Sequence, residues 1–157
     1  MPPTEWLALA DRCTPQINSA ASGAPMAHLF TFTSSQFDQA AERPNPINPI
    51  GGERVLRWLS AHLDSSRFAL GEPDAEDWGW YTHVVSGKRT YLLGASGEWG
   101  DSGGRTEWAV QLHLRRSIWE KLSGVNRLSA DDPLSTAIEA ALRGNPEFGD
   151  ITVDRGA

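Results

Sequence analysis

Between Arg67 and Leu114 the chain changes side at nearly every residue. In "TEWAVQLHL", residues 106–114, Trp108, Val110, Leu112 and Leu114 alternate with Glu107, Ala109, Gln111 and His113. A period of two is the signature of a strand with one buried face, because successive side chains leave opposite sides of the pleat. "DWGWYTHVV" and "TYLLGAS" repeat the pattern on either side of Ser86, Gly87, Lys88 and Arg89, a polar turn whose glycine can take positive φ. "RFALGEP" reads as a short strand before them. Strands joined by connections this short pair antiparallel, since a parallel crossover needs a dozen residues or more.

The flanking segments supply helices and two further strands. "HLFTFT" has the aromatic and threonine content of a strand, and "FGDITV" closes the chain with another. Val55, Leu56, Leu59 and Leu63 recur at helical spacing, and Asn48 followed by Pro49 predicts an N-cap with proline at the first helical position. "RRSIWEKLSG" carries Ile118 and Leu122 four apart and stops at Gly124. "DDPLSTAIEAALRG" starts with Asp132 as cap and Pro133 behind it, lays Leu134, Ala137, Ile138, Ala141 and Leu142 on one face and ends at Gly144. The expected fold is α+β, a two-layer sandwich with a mostly antiparallel sheet of about 5–6 strands and about three helices on one face. Residues 12–26 are small and polar with two prolines and no periodicity. Residues 1–25 are therefore read as an N-terminal extension or linker, with a short helix over "PTEWLALADR" as the alternative, and 26–157 as one domain.

A net charge of −6 with pI near 5.1 argues against a nucleic-acid binder, whose phosphate contacts require a concentrated positive field. It favours a basic partner. Cys13 is the only cysteine, so no internal disulfide can form, which points to a reducing compartment. The apolar run "WLALA" is too short for a membrane span. A cytoplasmic bacterial protein is expected, monomeric or a weak homodimer, with no membrane, nucleic acid or cofactor.

Gly100, Asp101, Ser102, Gly103 and Gly104 together resemble the nucleophile motif of trypsin-like serine proteases. That resemblance implies a catalytic serine, a histidine and a buried carboxylate. It covers only these five residues. Arg105 stands where the family has proline, no cysteine is near, and the family's two β-barrels do not fit this chain. The stretch reads as a glycine-rich connection, and no enzyme is assigned on it.

Two constellations carry candidate sites. Glu72, Asp74, Glu76 and Asp77 precede Trp78 and Trp80, with Trp99 and Asp101 farther on. Four carboxylates could ligate a hard cation, but Pro73 stiffens the run and the glycine and downstream glutamate of the calcium loop are missing, so no metal is expected. An acidic edge with indole anchors suits a basic protein instead. The second set is Tyr81, His83, Glu107, Gln111 and His113, which alternation puts on the sheet face opposite Trp80 and Trp108. Two imidazoles, a carboxylate and a phenol on one face are the makings of acid-base chemistry or of a small-ligand or metal site. The leading expectation is a non-catalytic interaction protein that resembles, at the level of class, immunity proteins, which plug the positive active site of a toxin. The alternative is a small enzyme or ligand-binding domain built on His83, His113 and Glu107.

Overall fold

The computed structural model describes residues 27–100, 104–123 and 127–156, with Ile118 and Lys121 as backbone alone. The chain runs β1 (Ala27–Ser34), a 3-10 turn (Gln39–Ala41), α1 (Glu53–His62), β2 (Ala69–Leu70), β3 (Asp74–Glu76), β4 (Gly79–Ser86) and β5 (Arg89–Gly97). It continues through β6 (Thr106–Arg115), α2 (Ile118–Ser123), α3 (Pro133–Arg143) and β7 (Gly149–Asp154). The fold is α+β, and its strands form one open seven-stranded antiparallel sheet ordered β2-β4-β5-β6-β1-β7, with β3 also on the outer edge of β4.

Alternation decides which face is covered. Phe30 pairs with Val110, Phe32 with Trp108, Leu93 with Leu112 and Trp80 with Ala95, and all of these are buried under the helices. Helix α1 closes on them with Val55, Leu56 and Leu59, and α3 with Leu134, Ile138 and Leu142. Each such aliphatic or aromatic side chain contributes about 1.5–3 kcal/mol by leaving water. Phe148 joins the two ends of the core, its ring centroid 4.6 Å from Phe32 and 4.8 Å from Trp58. The third expected helix does not take part in this layer. Segment α2 has six residues and leaves Trp119 81% and Leu122 75% exposed, so two helices rather than three cover the sheet. Among the described residues the other sheet face carries no helix, and the sheet is open with seven strands where about 5–6 were expected.

The start of α1 also departs from expectation. Neither Asn48 nor Pro49 caps it. The helix begins at Glu53 behind Gly52, whose φ is +150° and where an added Cβ would fall 2.2 Å from the Ala95 carbonyl oxygen, so there is no room for a side chain. The missing cap comes from Glu42, whose carboxylate accepts the backbone N–H groups of Gly52 (2.8 Å), Glu53 (2.6 Å) and Arg54 (3.3 Å). Negative charge on those orphan donors is stabilising, although burial pushes the Glu42 carboxyl above its ordinary range. Helix α3 follows its sequence signature, with Asp132 accepting from Leu134 N–H at 2.9 Å and Ser135 N–H at 3.1 Å.

Asp132 is fully buried and does more than cap. Its second oxygen accepts from the Arg89 guanidinium at 3.0 Å and from the Tyr91 hydroxyl at 2.9 Å, which fastens the β4–β5 hairpin to the head of α3. Asp132→Ala removes the cap and leaves Arg89 without its counter-charge. A loss on the order of 3 kcal/mol in urea unfolding is expected.

His28 sits fully buried on the core face of β1, its Nδ1 2.7 Å from the Ser135 hydroxyl. Burial, aided by the Arg155 cation, holds its pKa below the ordinary imidazole value. On acidification through about pH 6.5 the unfolded chain therefore takes up a proton that the folded one resists, and stability is lost. The thermal midpoint should fall between about pH 7.5 and about pH 5.5, and His28→Gln should flatten that slope in a melting series.

Candidate functional site

The helix-free face is assembled by register. Across β4, β5 and β6 one row reads Tyr81, Gly94, Gln111 and the next reads His83, Leu92, His113. Strand β3 adds Asp74 opposite Tyr81 and Glu76 opposite Gly79. Glu107, opposite Thr33 on β1, lies on the same face. The acidic residues Asp74 and Glu76 and the second set, Tyr81, His83, Glu107, Gln111 and His113, therefore share one surface. A separate acidic edge and sheet face, as the sequence suggests, are parts of a single face.

Trp78 defines its centre. A Cβ built on Gly94 would lie 2.5 Å from the Trp78 ring, so the indole lies against bare backbone on the open face. Only a glycine there lets the ring come down onto the sheet. Tyr81 and His83 continue the aromatic surface, their rings 5.8 Å apart and edge-on. His113 Nε2 is 3.4 Å from the Gln111 side-chain oxygen. The opposite side of the face, over β1 and β7, is hydroxylated, with Thr31 and Thr152 in contact through their side chains.

The acidic segment is held in place from outside the sheet. Asn45 Nδ2 donates to the Glu76 and Gly79 carbonyls, both at 3.0 Å, and Asn48 Nδ2 donates to the Asp77 carbonyl at 2.6 Å. Arg43 donates to the Pro73 carbonyl at 3.0 Å, and its guanidinium lies 4.6 Å from the centre of the Trp80 ring. The proline-rich loop 43–50 is thus a clamp on the segment 73–79. Asp74 and Asp77 remain exposed within it, while Glu72 is paired with Arg57 at 3.0 Å.

The tryptophans divide. Trp80 is 1% exposed and Trp108 is fully buried, so Trp80 is corrected from a partner anchor to a core residue. The side chain of residue 80 points under α1 because Trp80 pairs with core-facing Ala95. Trp99 is half-buried, donates to the Phe37 carbonyl at 2.8 Å and packs edge-on to Trp108 at 5.5 Å. Asp101, with Ser102 of the protease-like stretch, lies outside the described residues, as do Trp6 and Cys13.

Beside this face, Glu98, Glu107, Trp108 and Ala109 line an open cavity of about 290 Å³. Neither glutamate forms an ion pair among the described residues, so the cavity presents two carboxylates to solvent. Sequence reasoning missed Glu98, although a glutamate between Gly97 and Trp99 at a strand end was the available signal. The two imidazoles do not converge. With Leu92 on the strand between them, His83 and His113 stand about 10 Å apart, too far to share one ligand atom. Among the described residues no three of His, Cys, Asp and Glu gather as a metal set, and no helix is long and apolar enough to cross a membrane.

Gly94→Ala puts a methyl group into the Trp78 ring at a position whose backbone tolerates alanine. The indole should lift from the sheet while the fold persists. Fluorine spectra of 5-fluorotryptophan protein, with Trp78→Phe to assign the line, should show that resonance shift toward the solvent value and the core lines stay.

The chain matches no family model, no curated protein and no solved structure.

Proposed function

We propose that this protein is a non-catalytic interaction module that presents the acid-rimmed, aromatic open face of its sheet to a basic protein. The placement of Trp78, Tyr81 and His83 beside Asp74, Glu76 and Asp77 carries the reading. Aromatic side chains supply contact area at little entropic cost, and the carboxylates around them select a positive surface and speed its approach. The Glu98 and Glu107 cavity has the size and charge to receive a lysine or arginine side chain of the partner.

The shape of the surface supports a macromolecular partner over a small substrate. Buried small-ligand sites are concave and enclose most of what they hold. Here the residues with acid-base capacity lie spread along a sheet, and Trp78 already fills the space above Gly94. An immunity-type role, blocking the basic active site of a toxin in a bacterial cytoplasm, is the biological setting this chemistry suits best.

A photo-crosslinking residue in place of Tyr81 should capture a basic protein in the native host, whereas the same residue in place of Arg143 on α3 should not. Glu76→Lys combined with Asp77→Lys should slow association with the captured protein by about tenfold at low salt, and the difference should shrink as salt rises. Equal capture at both positions, or association indifferent to the charge reversal, would sink the reading.

A further inference from the structure

The opposite end of the sheet has the opposite charge. Lys88 and Arg89 at the β4–β5 turn meet Arg115 and Arg116 at the end of β6, because Thr90 pairs with Arg115. With Thr90 and Ser117 they line an open cavity of about 360 Å³. Four of the fourteen basic residues of an acidic chain are gathered there. Like charges crowded together repel, and a protein that keeps them so needs something to balance them.

The balance inside the protein is incomplete. Arg89 is answered by Asp132, and the Glu120 carboxylate, also in the cavity wall, accepts the Ser117 N–H at 2.7 Å. Lys88, Arg115 and Arg116 form no ion pair among the described residues. Arg116 goes further, since its Nη1 is shielded from water with no hydrogen-bond partner. That nitrogen is as closed to a ligand as to water, but Arg116 as a whole is half-buried and lines the cavity, so an anionic oxygen there meets the remaining donors of a guanidinium that has no counter-charge among the described residues. Lys88, Arg115 and Arg116 against Glu120 leave two positive charges in excess, which favours a dianion over a single carboxylate, and the planar fork of arginine matches phosphate oxygens.

We infer that this end of the protein is a binding site for a phosphate group, with Arg116 as its principal donor and Arg115 and Lys88 around it. The inference is independent of the acidic face, which lies at the other end of the strands. The group reaches the site on a free phosphorylated molecule or on the headgroup of an anionic lipid. Trp119 and Leu122, both exposed on α2 beside the cavity, would enter the interface in the second case.

Inorganic phosphate titrated into the full-length protein, against chloride at equal ionic strength, should give saturable amide shifts confined to residues 87–90 and 114–120. Arg116→Gln should weaken that binding about tenfold with the thermal midpoint unchanged, and Arg115→Gln serves if the first variant does not fold. In a second arm the protein is mixed with phosphatidylcholine vesicles with and without phosphatidylglycerol. Sedimentation with the anionic vesicles alone, sensitive to Arg116→Gln and accompanied by a blue shift lost in Trp119→Phe, assigns the phosphate to a lipid. Phosphate binding without sedimentation assigns it to a free ligand. Binding in neither arm, or binding that Arg116→Gln and Arg115→Gln both leave intact, overturns the inference.

Discussion

Two helices cover one face of a seven-stranded sheet, and the two-residue period of the strands then commits half of every strand to a face on which the described residues place no helix. That single constraint explains most of the surface. On the covered side the pattern is filled with buried phenylalanine, leucine, valine and tryptophan. On the open side the sheet must either bind water or carry its own cover. Over β1 and β7 it is polar, with Thr31 bonded to Thr152 and Thr33 to Asp150; over β4 and β5 the Trp78 indole does the covering, laid on Gly94. Aromatic surface kept at an open sheet by a glycine is not explained by core packing, because it adds nothing to the helical side.

The irregular parts are positioned by polar groups acting over long separations. Glu42 caps a helix that starts eleven residues later, Asn45 and Asn48 reach about thirty residues forward to the acidic turn, and Asp132 gathers Arg89 and Tyr91 from the central hairpin. Each is a buried or partly buried acceptor or donor whose partners are fully specified, so it fixes one arrangement where apolar packing would tolerate several. Loop 43–50 shows the effect well. Its prolines make it stiff, but stiffness alone does not aim it; the two asparagines do.

What could be read from the sequence was local. Alternation in residues 106–114 needs no knowledge of the partner strand, and Asp132-Pro133 with Gly144 brackets α3 from nearest-neighbour chemistry. The position of α1 was legible from Val55, Leu56 and Leu59, but its start was not, because the capping carboxylate is remote and Asn48-Pro49 offered a local decoy. Strand β3 was hidden for a related reason: Asp-Ala-Glu has poor strand propensity and is extended only because β4 presents an edge to it. The tryptophans could be recognised as amphipathic without being sorted. Whether Trp78 lies on the surface depends on Gly94 sixteen residues away, and whether Trp80 is buried depends on the parity of β4 against β5. Lys88, Arg89, Arg115 and Arg116 looked scattered along the chain for the same reason, since only the β5–β6 register brings the two pairs together.

The separation of charge follows from the same topology. In an antiparallel meander, connections alternate between the two ends of the strands. The turn before β4 and the connection from β5 to β6 fall at one end and carry Asp77 and Glu98. The β4–β5 turn and the end of β6 fall at the other and carry Lys88, Arg89, Arg115 and Arg116. Strands of eight to ten residues hold these ends about 25 Å apart, well beyond the screening length at physiological salt. The two ends therefore neither neutralise nor disturb one another. On the proposed reading, a basic partner would be drawn toward the acidic end, the one whose face bears Trp78 and Tyr81. On that reading the positive end would face away from the partner, and the phosphate site proposed there would stay open.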